Sequence, residues 1–162
     1  MADAPTLTHL NPQGGVRMVD IAEKGRTVRT AVGAGRVYLG EEAFKLVSEN
    51  KIQKGDVLSI AQIAGIMGAK QTSKLIPLCH DVQLKGIDIV LTLTEEVHAI
   101  DIRAFAKTVG STGVEMEVLT AVSVTALTVY DMCKSVSKEI RISDIQLLAK
   151  TGGQSGDYIR ES

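Results

Sequence analysis

The sequence predicts a ferredoxin-like α+β fold, in which helices cover one face of a four-stranded antiparallel sheet and one extra helix is added. Three observations support this prediction. The periodicity patterns follow the order strand, two helices, two strands, helix, strand. Two of the helical patterns are almost free of charge, as buried helices are. The length of 162 residues suits one domain. We therefore expect an N-terminal arm at 1–15, a single domain at 16–157 and a C-terminal tail at 158–162.

Alternation of apolar and polar residues predicts the four strands. The first covers Thr27–Leu39, and Gly86–Thr94 and His98–Ala106 form a hairpin. In the last strand, Glu139–Lys150, two apolar pairs fall out of phase by one residue. A β-bulge near Ser143–Asp144 would return both pairs to the core face.

The helical patterns cover Glu41–Asn50, Val57–Lys74 and Thr112–Lys134. The second begins after Asp56, a good N-cap residue. It includes Gly65 and Gly68, each of which weakens an isolated helix by up to ~1 kcal/mol relative to alanine. We therefore expect another backbone to pack closely against these glycines.

The third helical pattern has no charge between Val118 and Tyr130, so no side of it is suited to water. A sheet with one free face cannot bury two such helices fully, which predicts a homo-oligomer with sites at subunit boundaries. Glu115 and Asp131 would be about 24 Å apart along a straight helix. They cannot both touch one small reacting centre from the same helix.

Composition excludes several classes of function. The net charge of −1 gives no bulk attraction to nucleic acid or to membranes, and aromatic residues make up only 3%. The uncharged runs are shorter than the ~18 residues that cross a bilayer. The first residues lack the pattern of a signal peptide. We expect a cytoplasmic protein in which Cys79 and Cys133 are reduced thiols.

Two groups of residues are candidates for chemistry. Asp131 and Lys134 lie three apart on one helical face, where they could be a proton-transfer pair or an ordinary surface ion pair. His80 follows Cys79 in a turn, but no second pair of metal ligands stands at a suitable spacing. Binding of an anion and a purely structural histidine both remain open.

Cationic residues lie at the ends of the predicted elements rather than in one run. They could be solvated, or they could converge on a polyphosphate together with the glycine-rich segment Thr151–Gly156. This segment is no Walker A loop, because it lacks the Gly-Lys-Ser/Thr ending. The residues concerned are Arg29, Lys51, Lys54, Lys70, Lys74 and Lys150.

Four dense motifs resemble one family. They are LIPLCH at Leu75–His80, TGVEMEVLTA at Thr112–Ala121, TVYDMCK at Thr128–Lys134 and LLAKTGGQSGD at Leu147–Asp157. In this order they are similar to the MoaC family, and the likeness extends from about Leu7 to Asp157.

The resemblance implies a ferredoxin-like catalytic domain that assembles as a homohexamer, a trimer of dimers with the active site at the dimer interface. It implies a lyase of molybdenum cofactor biosynthesis, cyclic pyranopterin monophosphate synthase. The substrate would be (8S)-3′,8-cyclo-7,8-dihydroguanosine 5′-triphosphate, a small molecule derived from GTP, and pyrophosphate would be released.

By motif, the resemblance implies that Asp131 and Lys134 are catalytic. It implies substrate contacts by Arg29, Lys54, Lys70, Leu78, Cys79, His80, Glu115, Met116, Glu117 and Lys150. No cofactor is required as far as the sequence shows, although Mg²⁺ could accompany the triphosphate. Many relatives have lysine where this chain has Gln154, which affects one phosphate contact. The alternative is a non-catalytic nucleotide- or pterin-binding regulatory module.

Overall fold

The computed structural model describes residues 13–161, so the first twelve residues of the predicted arm lie outside it. The strands are β1 Thr27–Tyr38, β2 Leu84–Thr94, β3 Ala99–Gly110, β4 Arg141–Thr151 and β5 Tyr158–Ile159. The helices are α1 Glu41–Ser48, α2 Val57–Ala69, α3 Thr72–Leu75 and α4 Glu115–Cys133. A 3₁₀ turn at Glu95–Val97 joins β2 to β3.

The sheet confirms the predicted fold class. Its order is β2-β3-β1-β4-β5, and every pairing is antiparallel. Without β5, the order β2-β3-β1-β4 is that of a ferredoxin-like fold. The chain leaves β1 through a helical connection, so β3 rather than β2 pairs beside β1. The short β5 was not predicted; it consists of Tyr158 and Ile159, which the sequence assigned to the tail.

The bulge predicted in the last strand is present. Arg36 of β1 pairs with Ser143 and Ala34 pairs with Gln146, so β4 has one residue more than β1 in this interval. Asp144 adopts a φ of 56°, in the left-handed region that aspartate tolerates. A second irregularity, where Leu148 has no partner in the β1 register, was not predicted.

The continuous helix predicted over Val57–Lys74 is wrong, because the structure divides it into α2 and α3. α2 ends when the backbone N–H of Gln71 bonds the Gly68 carbonyl. The hydroxyl of Thr72, which is 1% exposed, donates to the Ala69 carbonyl. A threonine hydroxyl that bonds a nearby backbone carbonyl competes with the helical pattern, so the chain turns here before α3 begins.

The predicted close approach at the glycines of α2 is confirmed. A Cβ added to Gly65 would lie 2.1 Å from Thr125 Oγ1 and 3.0 Å from the Ala121 carbonyl of α4. A Cβ at Gly68 would lie 2.7 Å from Val124. The glycines therefore allow α2 and α4 to pack backbone to backbone.

α4 is the central helix of the core. It packs against α2, β1, β3 and β4, and Val118, Val122 and Val129 are fully buried. The helix has 19 residues, and an 18-residue window within it has a mean hydropathy of 1.3, so it is long and apolar enough to span a bilayer. Its packing instead makes it the core helix of a domain. Some apolar side chains on the outer surface of the helical layer are exposed, namely Ile60, Ile63, Met67 and Leu127.

Candidate active site

Two adjoining cavities lie at the N-terminal end of α4, and they share Lys24, Thr112, Gly113 and Glu115. Their volumes are about 400 and 310 Å³. Both lie where the loop from β3 enters the helix. The positive end of the α4 dipole therefore points toward the space that they enclose.

The larger cavity, which we call the cationic cavity, is lined mainly by polar groups. Its other lining residues are Arg29, Thr30, Ser111, Lys150, Thr151, Gly153, Gln154 and Ser155. The Arg29 side chain reaches it from β1, Lys150 from the end of β4 and Gly153–Ser155 from the glycine-rich loop. Three cationic side chains and a glycine-rich loop converge here, as phosphate recognition requires.

Arg29 is the most informative residue of the cationic cavity. It is 7% exposed, and its Nε donates a 2.9 Å hydrogen bond to the Gly110 carbonyl. Among the described residues, no carboxylate lies within ion-pair distance of its guanidinium. A buried charge without a counter-ion is costly, so this guanidinium is suited to receive an anionic ligand.

Lys150 is held by two groups that line the cavity. Its Nζ lies 3.3 Å from Glu115 Oε1 and donates a 2.9 Å bond to Ser155 Oγ. Lys150 and Glu115 are 26% and 30% exposed. The pair therefore bridges the loop after β4 and the first turn of α4.

The smaller cavity, which we call the His80 cavity, combines an apolar wall with a few titratable groups. Its other lining residues are Val19, Ile21, Leu78, Cys79, His80, Val82, Met116 and Glu117. The segment Leu78–His80, which follows Pro77, faces the first turn of α4 across this space. Such a lining suits a flat, partly apolar ring with polar edges.

Glu117 is the buried acid of the His80 cavity. It is 4% exposed, and this burial raises its pKa to about 7. The negative charges of Glu115 and Asp81 act in the same direction. Burial, together with the charge of Glu117, also raises the pKa of the Cys79 thiol. Glu117 is therefore poised to carry a proton near neutral pH, whereas Cys79 stays a thiol.

His80 is oriented by the chain before β1. Its Nε2 lies 2.7 Å from the Val19 carbonyl, which can only accept, so Nε2 carries the hydrogen. The same segment is held at Lys24, whose carbonyl accepts a 2.8 Å bond from Ser111. The segment from Val19 to Lys24 forms one wall of the His80 cavity, and a hydrogen bond therefore holds it at each end.

A third group, which we call the Asp131 cluster, lies at the opposite end of α4. Lys134 Nζ is 2.6 Å from Asp131 Oδ1, and Lys54 Nζ is 3.0 Å from Oδ2. Lys54 also donates a 2.6 Å bond to the Asp131 carbonyl. The ammonium group of Lys134, and to a smaller extent that of Lys54, lowers the pKa of Asp131. Asp131 in turn raises the pKa of Lys134. All three side chains are substantially exposed.

The structure thus places most of the predicted site residues at one end of α4 or at the other. Arg29, Glu115 and Lys150 line the cationic cavity, and Leu78, Cys79, His80, Met116 and Glu117 line the His80 cavity. Asp131, Lys134 and Lys54 form the other cluster. Lys70 caps the C-terminus of α2 and lines neither cavity.

Lys24, the cationic residue that lines both cavities, was not predicted from the sequence. Its neighbourhood in the sequence shows no periodicity, and only the return of this segment against β3 and α4 places it. Its location between Val19 and Arg26, among other charged residues, did not distinguish it in the sequence.

Within residues 13–161, no three His, Cys, Asp or Glu side chains are grouped as a metal site would require. The cavities carry instead the cationic side chains of Lys24, Arg29 and Lys150 and the carboxyl groups of Glu115 and Glu117.

This is a ferredoxin-like domain with a glycine-rich loop, a carboxyl group of pKa about 7 and a buried arginine that has no counter-ion among the described residues. These are the parts of an enzyme that binds an anionic ester and moves protons on it. The comparison with known families specifies which enzymes these are. Residues 18–153 match the MoaC family, and the chain belongs to this family.

Relatives of known name agree with this assignment. The chain is 64% identical over 162 residues to a cyclic pyranopterin monophosphate synthase of Salinibacter ruber, covering 100% of this chain and 95% of the relative. Proteins of the same name from Heliobacterium modesticaldum and Thermoanaerobacter pseudethanolicus are 56% and 54% identical over 155 residues. Each of these two alignments covers 96% of this chain and 98% of the relative.

Proposed function

We propose that the protein converts (8S)-3′,8-cyclo-7,8-dihydroguanosine 5′-triphosphate to cyclic pyranopterin monophosphate and pyrophosphate in the two cavities at the start of α4. By family and by full-length similarity, the chain is a cyclic pyranopterin monophosphate synthase, a lyase of molybdenum cofactor biosynthesis. The placement of the substrate depends on one observation: Arg29 is buried and has no counter-ion among the described residues.

The cationic cavity is assigned to the triphosphate. Arg29, Lys24 and Lys150 would neutralise the phosphate oxygens, and the leaving pyrophosphate would keep these contacts as its charge develops. Lys150 is already paired with Glu115 at 3.3 Å. The triphosphate would therefore compete with Glu115 for the ammonium group.

The His80 cavity is assigned to the purine-derived ring. Opening one ring and closing another requires protons to move on nitrogen and oxygen, which general acids and bases near pH 7 do best. Glu117 meets this condition through its burial. The neutral form of His80 carries its hydrogen on Nε2, so Nδ1 is left as the atom that can accept a proton.

Asp131 and Lys134 are assigned the main proton transfers, but one chain does not bring them to the cavities. Glu115 and Asp131 are sixteen residues apart on α4, about 24 Å for a straight helix. A second copy of the chain would bring its Asp131 cluster to the cavities of the first. This arrangement explains why the substrate contacts and the Asp131 cluster both belong to the family motifs.

We extend this to a homohexamer, a trimer of dimers, in the cytoplasm. The single chain exposes apolar side chains on both layers, which favours burial against other copies. On the helical layer these include Ile63 and Met67, 58% and 63% exposed, and on the helix-free sheet face Val90 and Phe105, 54% and 42% exposed. A second subunit on each layer would account for both surfaces.

The first experiment measures pyrophosphate release from the cyclic dihydro-nucleotide, together with the pterin product. We expect both products in equal amounts from the wild-type protein. A regulatory module would bind the nucleotide and release no pyrophosphate, so this outcome would reject the proposal. The Asp131→Asn variant serves as the catalytically impaired control that keeps the size of the side chain.

The second experiment tests whether sites are shared between chains. Glu117→Gln and Asp131→Asn would be purified separately, unfolded together and refolded as a mixture. If the sites lie between two copies, random pairing restores about one quarter of the wild-type sites. A mixture as inactive as its parents would show that both residues act within one chain, and the shared-site assignment would be wrong.

Mg²⁺ enters this proposal only as a companion of the triphosphate. The described residues lack a group of carboxylates that would hold it alone, whereas triphosphates bind Mg²⁺ readily in water. Turnover measured after chelation by EDTA, and again after addition of Mg²⁺, would show whether it is needed.

A further inference from the structure

We infer that Asp157 is a positioning residue for the phosphate groups, because it closes the loop Gly152–Gly156 and so holds Ser155 against Lys150. This inference rests on the proposed assignment of the cationic cavity to phosphate. Asp157 itself lines neither cavity. It acts through the loop.

The loop is closed by side chains on both of its sides. Asp157 Oδ1 accepts a 3.0 Å hydrogen bond from the backbone N–H of Gly152, and Thr27 Oγ1 donates a 2.7 Å bond to the Gly152 carbonyl. Inside the loop, the N–H of Gly156 donates to the Gly153 carbonyl at 3.1 Å. The Gly152 residue is therefore fixed through its N–H by Asp157 and through its carbonyl by β1.

The position of Gly152 explains why the loop needs such closure. Its φ is +82°, and a Cβ there would lie 1.9 Å from the Val28 carbonyl. Only glycine fits this close approach, and glycine has the largest conformational freedom to lose. A side-chain acceptor for its N–H offsets part of that cost by favouring one conformation.

The short strand β5 sets the length of the loop. Tyr158 pairs with Lys150 and Ile159 pairs with Ala149, which places Asp157 opposite the start of the loop. The Ser155 hydroxyl then accepts the 2.9 Å bond from Lys150 Nζ. In this way Asp157, Ser155 and Lys150 form a chain of contacts that ends in the cationic cavity.

The closed loop also leaves donors for a ligand. Among the described residues, the backbone N–H groups of Gly153, Gln154 and Ser155 have no hydrogen-bond partner. All three residues line the cationic cavity. Successive free amides beside a lysine are a common form of phosphate site.

The test compares Asp157→Ala with Asp157→Asn, since asparagine keeps an oxygen that can accept the Gly152 N–H. Pyrophosphate affinity is measured by calorimetry on the whole protein, with KM and kcat from the release assay. We expect Asp157→Ala to weaken pyrophosphate binding about fivefold, the effect of one hydrogen bond. KM should rise in parallel while kcat stays within about twofold, and Asp157→Asn should restore both.

Ser155→Ala provides a second measurement, because it keeps the loop closed and removes only the hydroxyl that holds Lys150. It should show the same loss of affinity. Glu96→Ala removes an exposed carboxylate in the turn between β2 and β3 and serves as the charge-matched control. Thermal melts of all variants identify any loss of folding.

A double-mutant cycle decides whether Asp157 acts through Lys150. If it does, Asp157→Ala adds little to the effect of Lys150→Ala, whereas independent effects would multiply. Multiplying effects, or wild-type affinity in either Asp157→Ala or Ser155→Ala, would overturn the inference about Asp157 and leave the phosphate assignment standing. Unchanged pyrophosphate affinity in Lys150→Ala would overturn the assignment of the cavity to phosphate as well.

Discussion

The two ends of α4 place carboxylates in opposite environments. At the N-terminal end, Glu117 is buried beside other acids, and its pKa rises to about 7. At the C-terminal end, Asp131 is exposed between Lys134 and Lys54, and its pKa falls. One helix therefore presents a carboxyl group that titrates near pH 7 at one end and an ionised carboxylate at the other.

The contrast shows that tertiary surroundings, rather than the helix, decide the protonation state of each carboxyl group. The dipole of α4 would favour an ionised group at its start. Desolvation outweighs this effect at Glu117, because the charged form loses its water there. At Asp131, two ammonium groups within 3.0 Å outweigh the unfavourable negative end of the helix.

The largest expected effect is at the C-terminal end. Lys134→Ala or Asp131→Asn should reduce kcat by at least about 100-fold, the usual contribution of a general acid or base. Steady-state pyrophosphate release measures this effect. Wild-type turnover in Lys134→Ala, or a rate within about tenfold of wild type in Asp131→Asn, would contradict the catalytic assignment.

Glu117 should make folding stability depend on pH. In the folded protein its pKa is about 7, against 4.5 for an unperturbed carboxyl. The folded state thus holds a proton that the unfolded state has lost, so stability decreases as the pH rises from about 4.5 to about 7. The loss can reach about 3 kcal/mol.

Urea unfolding of wild type and Glu117→Gln at pH 5 and pH 8 measures this effect. Glutamine cannot ionise, so the variant should lose less stability over this range than the wild type. Glu96→Gln, an exposed site, should follow the wild-type curve. Parallel curves for wild type and Glu117→Gln would mean that Glu117 ionises normally in the fold.

The middle of α4 should be sensitive to volume rather than charge. Gly65→Ala would place a Cβ 2.1 Å from Thr125 Oγ1, so α2 and α4 must separate. We expect a net destabilisation of roughly 1–3 kcal/mol, despite the better helix propensity of alanine. Chemical denaturation measures it, and Gly86→Ala, where a Cβ meets no atom within 4 Å, is the control. Equal stability of the two variants would show that the helices move apart without cost.

The smallest expected effect concerns the pKa of Asp131. Removal of either cation should raise this pKa, and Lys134→Ala should raise it more than Lys54→Ala, because Lys134 contributes most to the shift. Carboxyl NMR titration in low salt measures both changes, since salt screens exposed charges. The reverse order would show that Lys54 is the dominant partner.

Local patterns predicted most of the fold. The period-two alternation located the strands, and the phase change in β4 located the bulge at Ser143–Asp144. The boundary between α2 and α3 was missed, because it depends on Thr72 bonding back to the Ala69 carbonyl in a buried turn. A pattern of apolar residues does not distinguish that turn from one more turn of helix.

The site was less predictable, because its walls come from distant parts of the chain. The motifs pointed to Leu78–His80 and to Glu115–Glu117, and both line one cavity. Lys24 and the contact between His80 and Val19 were missed, since they depend on a segment without regular structure. The close approach of Gly152 to Val28 could not be predicted either, because the two residues are brought together only by the tertiary structure.

By itself, the sequence determined the order of the four long strands and three main helices, the family and the separation of Glu115 from Asp131, because these depend on spacing along one chain. Only the tertiary structure decided that burial raises the pKa of Glu117, that Arg29 is buried with no counter-ion among the described residues, and that β5 brings Asp157 to the glycine-rich loop. The physical reason is that desolvation and hydrogen-bond geometry depend on which distant segments pack together.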